Sequence, residues 1–286
     1  MREFSFPVVS LGSRRESAPD VKAVAAWIAS RHGQAADIIS YELEMLFEQQ
    51  LPYAAEPAAG GEFYDERLRE AFGVQDGRLV QDFELTPSAI AEDMAVLSPR
   101  VKGCRFSLPS PVSLGIADEY FKDEDEFQSA AVDIFLRLCR EQRDAGVSGH
   151  VVLSDAPVDI ELEALHGRKF LWMCPADRLE QVLEVSRDAV LPGDAAGRIA
   201  ELADSYALRN VYLCDPDAAS LLTALETVDA DHLFVAGYGR GACDRGGERS
   251  DARQKHDCEA CDRGGDGQGE YWHSLAGIRV KREEAE

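Results

Sequence analysis

Gly149-His150-Val151-Val152-Leu153-Ser154-Asp155 is an apolar run of strand length that ends on a carboxylate. Three runs of the same kind follow it: Lys169-Phe170-Leu171-Trp172-Met173-Cys174, Asn210-Val211-Tyr212-Leu213-Cys214 and Asp231-His232-Leu233-Phe234-Val235-Ala236. A strand wetted on one face would alternate polar with apolar residues. Continuous apolar runs are instead what a parallel sheet covered on both faces requires. Helical stretches lie between them: a short one near Glu161 to His166, Asp177 to Ala189 with Asp194 to Tyr206, and Ala218 to Val228.

Upstream, Asp123 to Ala145 is the strongest helix, with Phe127, Ala131, Ile134, Phe135 and Leu138 at helical spacing and Gly146 as its stop. Val101 to Leu108 reads as a strand, and Phe6 to Gly12 as a buried first strand closed by Gly, Ser and Arg. Pro19-Asp20 opens a helix with Val21, Val24, Ala25 and Ile28 on one face. Ala36 to Tyr41 is a second apolar run, Glu42 to Gln50 a helix and Ala55 to Gly61 a loop. Glu62 to Phe72 is a charged amphipathic helix, Arg78 to Leu85 the weakest strand, and Pro87 to Leu97 another helix. Eight strand–helix units result, which predicts a TIM-like (β/α)8 barrel over residues 1–240. A doubly wound open parallel sheet is the rival. Residues 241–286 form a Cys/His-containing loop and a return segment, in which Trp272 to Val280 rejoins the body.

The chain of 286 residues carries 53 acidic against 30 basic side chains, a formal charge of −23. Only six of the basic residues are lysine. An acidic surface depleted in lysine suits solubility in concentrated salt, where self-repulsion is screened to within ~3 Å at 1 M. The expectation is a halophilic, archaeal protein, against the plainer alternative of an acidic mesophilic one. A field this negative disfavours nucleic-acid and membrane-surface partners. The nearest basic cluster, Arg279-Val280-Lys281-Arg282, is followed at once by acids. No run approaches the ~18 apolar residues of a membrane span, so a soluble, cytoplasmic protein acting on a small molecule is expected.

The run Phe106-Ser107-Leu108-Pro109-Ser110-Pro111-Val112-Ser113-Leu114 resembles the strand-to-loop segment that the superfamily of uroporphyrinogen decarboxylase and cobalamin-independent methionine synthase carries as a Gly-Pro-Val/Thr motif. Ala145 to Pro157 is similar to that superfamily's apolar strand ending in Asp-Glu-Pro. The resemblance covers about a third of the chain and implies a (β/α)8 barrel, with Asp155 at its mouth in contact with substrate, and methyl or other one-carbon transfer. The sequence departs from the pattern at three places. The family's Glu is Ala156, its His-x-Cys zinc motif keeps only Cys174, and its closing Cys-Gly is replaced by Ala236-Gly237-Tyr238-Gly239.

In either parallel architecture, sites form at the carboxyl ends of strands. Asp155, Cys174, Cys214 with Asp215, and Gly237-Tyr238 occupy such ends, and Asp155, Cys174 and Cys214 are the candidate catalytic residues. The plainer alternative makes Cys104, Cys139, Cys174 and Cys214 small buried hydrophobes, with Asp155, Asp177 and Asp215 capping helices. The acidic residues Glu62, Asp65 and Glu66 read as a solvated helix face. In the tail, Cys258-x-x-Cys261 has the spacing with which two thiolates bind one tetrahedral zinc. Cys243 is a third candidate ligand across 14 intervening residues, and His256 or His273 the fourth. Incidental cysteines in a polar loop, or a redox dithiol, are the alternatives to zinc. The whole then reads as a barrel enzyme with a zinc-binding loop, or as a non-catalytic α/β protein with a structural or partner-docking zinc element.

Overall fold

A computed structural model describes residues 2–14, 19–31, 36–97, 100, 102–239 and 267–282. Its strands are β1 (Arg2–Ser5), β2 (Val8–Ser13), β3 (Ala58–Gly60), β4 (Arg78–Leu79), β5 (Arg105–Pro109), β6 (Ala117–Asp118), β7 (Gly149–Leu153), β8 (Phe170–Met173), β9 (Asp188–Pro192), β10 (Asn210–Cys214), β11 (Leu233–Gly239) and β12 (Arg279–Arg282). Its helices are α1 (Val21–Ser30), α2 (Ile38–Glu48), α3 (Asp65–Ala71), α4 (Pro87–Leu97), α5 (Glu124–Asp144), α6 (Asp159–Ala164), α7 (Leu179–Leu183), α8 (Ile199–Ser205), α9 (Ala218–Ala224) and α10 (Gly267–Ala276).

Two four-stranded sheets, both wholly parallel, hold the core, in the orders β2-β11-β10-β9 and β3-β5-β7-β8. Isolated parallel bridges from Val9 to Glu56 and from Ser13 to Gly61 join the sheets along β2 and β3. On the other side β8 lies against β9, with no hydrogen-bonded ladder between them among the described residues.

Successive side chains of a strand point to opposite faces, and the two faces here have different partners. Val9, Leu11, Val151, Leu153, Leu171, Val190, Tyr212, Ala236 and Tyr238, from six strands of both sheets, form one cluster. Their strand neighbours turn the other way. Val8, Leu191, Val211, Leu213 and Val235 pack under the later helices, and Val152, Phe170 and Trp172 under α5 and α6. The sheets therefore face each other across a filled interior and carry helices on their outer sides. This double covering is why the strands read as continuous apolar runs.

Six of the eight expected strands are present, and two are exchanged. The run from Ala36 to Tyr41 starts a helix, because the Asp37 carboxylate accepts the Ser40 amide at 2.8 Å and caps α2. The expected strand over Arg78 to Leu85 shrinks to a two-residue pairing of β4 with β6. In their place stand β3, inside the expected loop, and β9, which overlaps the last two residues of the expected helix from Asp177 to Ala189 and fills the gap before the next one. The apolar face expected on α1 is not buried, and Val21 is 79% exposed. At the end of the described chain α10 seats Trp272, fully buried, on β11, and β12 pairs antiparallel with β1.

Candidate functional site

The carboxyl ends of the parallel strands open into a cleft of about 380 Å³. Arg14 reaches it from the end of β2, Glu62 and Asp65 from beyond β3, Pro109 and Ser113 from β5. Leu153, Ser154 and Asp155 come from β7, Met173 and Cys174 from β8, and Tyr238 from β11. One wall is apolar. The rim bears three carboxylates against one guanidinium.

Arg14 is held by Glu62 in a two-bond grip, Nε to Oε2 at 3.1 Å and Nη2 to Oε1 at 2.9 Å. Both side chains are about half exposed, so the pair orients the groups more than it stabilises the fold. The buried Tyr238 hydroxyl accepts the Glu62 amide at 3.2 Å, and the Arg14 guanidinium stands 6.0 Å from the Tyr238 ring centre. Burial pushes the Tyr238 hydroxyl well above the ordinary phenol range, so it stays protonated. Below this corner, Asp93 accepts the Tyr64 hydroxyl at 2.9 Å and Arg67 Nε at 2.8 Å, and so fixes the turn that carries Glu62.

Of the three expected catalytic residues, the structure brings Asp155 and Cys174 into the cleft. Asp155 is exposed to it. Cys174 is half-buried, and burial, with the Asp177 charge behind it, raises its thiol to about 12. It is therefore a neutral thiol near pH 7. Cys214 lies at the end of β10 beside the interior cluster and is not among the residues that line the cleft. The plainer alternative divides. Cys104 and Cys139 are buried, as it requires. The three aspartates do not cap helices: Val158 and Arg178 occupy the cap positions of α6 and α7, and Asp217 caps α9 by accepting the Ser220 amide at 2.7 Å. Asp215 instead accepts the Tyr271 hydroxyl of α10.

Glu62 and Asp65, expected on a solvated helix face, line the cleft instead, because the chain from Gly61 turns over the end of β3 before α3 begins. Arg14 likewise comes to the site only through the fold, whereas Tyr238 stands near the end of β11, a strand end expected to carry a site. Among the described residues no three of His, Cys, Asp and Glu converge as metal ligands, so the described part of the cleft does not fit zinc. Cys243, Cys258, Cys261 and His256 lie outside the described residues. His273, on α10, is exposed and sets its ring edge-on to Tyr53 at 5.7 Å.

No family model matches the sequence, and no curated protein does. Among solved structures, a B12-independent methionine synthase from Shewanella sp. W3-18-1, in complex with selenomethionine, is similar, with a TM-score of 0.42 and 14% sequence identity. The likeness covers 56% of this chain and 62% of that one, so the chain spans less than two thirds of that structure's length. No described helix is long and apolar enough to cross a membrane.

Proposed function

We propose that the chain is an enzyme built on a closed (β/α)8 barrel and acts on a small molecule held at the carboxyl ends of its strands. The observation that carries this reading is the convergence of residues from six strand ends on one cleft that contains Asp155. Asp155 stands two residues beyond β7, as Glu62 does beyond β3, but Glu62 is taken up by Arg14, so Asp155 serves as general base or as the group that orients the ligand. With Glu62 paired to Arg14 and Asp65 to Arg69, Asp155 is the rim carboxylate that favours a ligand with a positively charged group and disfavours a phosphorylated one. Methyl or other one-carbon transfer is the chemistry implied by the resemblance of residues 106–114 and 145–157, the two segments that supply Pro109, Ser113, Leu153, Ser154 and Asp155 to the cleft. The charge of −23 supports high-salt operation, and a cytoplasmic location is part of the same proposal. A structural zinc on Cys243, Cys258 and Cys261, with His256 or His273, is a separate part of the proposal, because a polar segment between β11 and α10 would gain order from the metal.

The test is turnover of carbon-13-methyl donors with small nucleophilic acceptors in high salt, followed by NMR. Wild-type turnover that falls by about 10²- to 10⁴-fold in Asp155→Asn supports the reading, the usual range for loss of a general acid–base group. No turnover with any pair, and no ligand affected by Asp155→Asn, would leave the non-catalytic alternative. Metal analysis of wild type and Cys258→Ser decides the zinc separately: one zinc per wild-type chain, lost in the variant, is expected, and no zinc in either preparation removes it.

A further inference from the structure

Glu161, on the first turn of α6, is fully buried. Its Oε1 accepts the Val112 amide at 2.9 Å and its Oε2 the Val158 amide at 3.4 Å. Burial raises the carboxyl above the ordinary range, partly offset by hydrogen bonds from the Val112 amide, the Ser110 hydroxyl and the Val158 amide, and no neighbouring charge contributes. Capping α6 alone would not need an acid, since a neutral Ser or Asn caps as well. A carboxyl buried without a cation is costly in its ionised form.

Ser110, also fully buried, continues from this carboxyl, and its Oγ lies 2.8 Å from Ser113 Oγ. Ser113 Oγ in turn donates to Ser154 Oγ at 3.3 Å, and both Ser113 and Ser154 line the cleft. A hydroxyl gives one proton and can accept others, so the row can be oriented in two senses. With Glu161 ionised, Ser113 donates to Ser110 and Ser110 to the carboxylate. With Glu161 protonated, its O–H donates to Ser110, Ser110 to Ser113, and Ser113 outward to Ser154.

We propose that Glu161 is a proton store for the cleft and exchanges its proton with a bound ligand through the hydroxyls of Ser110 and Ser113. The proposal rests on the reading of the cleft as the ligand site. In the outward sense the Glu161 O–H breaks and Ser110 Oγ takes that proton. Ser110 gives its own proton to Ser113, and Ser113 gives its own to a basic atom of the ligand. Each hydroxyl ends with the one proton it began with, Glu161 ends as carboxylate, and the ligand gains one proton. Reloading from solvent enters at the exposed Ser113. Glu161 acts through the serines and is a positioning residue.

Infrared difference spectroscopy on the full chain, with protons released by a laser pulse and no ligand present, tests the relay. A carboxylic-acid carbonyl band is expected that is lost in Glu161→Gln. In Ser113→Ala the same band reaches its full amplitude but rises about tenfold more slowly, the equivalent of about 1.4 kcal/mol in barrier. A purely structural Glu161 would not respond to Ser113. Should Glu161→Gln fail to fold, Ser110→Ala keeps both amide bonds and is expected to move the band's titration upward. Equal rates in wild type and Ser113→Ala overturn the relay, and absence of any band sensitive to position 161 or 110 overturns the store. Neither outcome bears on the cleft as a ligand site, which binding at Asp155 tests separately.

Discussion

The Ser107 hydroxyl donates to the Leu11 carbonyl at 2.7 Å, a hydrogen bond from β5 of one sheet to β2 of the other, reaching past β3. The bond is possible because residue 12 has no side chain. A Cβ on Gly12 would fall 2.4 Å from Ser107 Oγ and 2.5 Å from its Cβ, and Gly12 holds a φ of +109° that side chains disfavour.

Gly12→Ala is therefore expected to cost at least about 2 kcal/mol, adding backbone strain to overpacking. Ser107→Gly in that background should recover part of the loss, because it removes both crowded atoms, whereas Ser107→Ala should not. Urea unfolding of the four proteins checks this. Equal stability of wild type and Gly12→Ala would show that the sheets are not locked at this point.

A Cβ on Gly237 would lie 2.6 Å from the Trp272 ring and 2.7 Å from the Leu275 side chain. Gly237→Ala should lift α10 from β11, cost about 1–3 kcal/mol and shift Trp272 emission toward that of a wetter indole. Unchanged emission would mean that α10 is not seated on this strand.

The continuous apolar runs of β7, β8, β10 and β11 were legible because both faces of each are covered. Two core strands were not. Ala58-Ala59-Gly60 has side chains too small to give an apolar signal, and Asp188–Pro192 lies hard against α7 without a Gly or Pro between them. The site was legible where one strand end announces it, as at Asp155 and Cys174. It was not legible at Arg14 and Glu62, which reach Tyr238 at the end of β11 only when β2, β3 and β11 are neighbours. Nor does any spacing mark Ser110, Ser113, Ser154 and Glu161 as one row.

His150, on β7, is fully buried, with Nε2 3.1 Å from Gln142 Oε1 and Nδ1 without a partner. Burial, with Arg143, Arg105 and Lys169 nearby, lowers its pKa from 6.5 to about 3. Between those values the unfolded chain binds a proton that the folded chain refuses, so His150 makes stability fall as pH drops from 6.5 toward 3. The lowered carboxyls of Asp37 and Glu44 act in the same sense, but only near and below the ordinary carboxylate range. The raised carboxyls of Glu161 and Asp93 act oppositely, losing stability as pH rises. His150→Leu isolates the first effect: its stability relative to wild type should increase as pH falls from 6.5 to 5. A pH-independent difference would contradict the buried, neutral histidine.

With its thiol raised to about 12, Cys174 should react with iodoacetamide at pH 7.5 at least about tenfold more slowly than free cysteine, because the thiolate is the nucleophile. Peptide mapping by mass spectrometry follows this one site among seven cysteines. Reaction as fast as free cysteine would place a thiolate in the cleft and make Cys174 a nucleophile.

The central claim, that ligands enter where the strands end, is tested most directly by methyl NMR of the full chain in high salt against a set of small cationic and zwitterionic compounds. The account predicts that binders move the Leu153 and Met173 methyl resonances, and that Asp155→Asn weakens them while leaving the other methyl resonances in place. Binders that leave Leu153 and Met173 unmoved, act instead on the hollow lined by Phe4, Leu225 and His232, and ignore Asp155→Asn would contradict it.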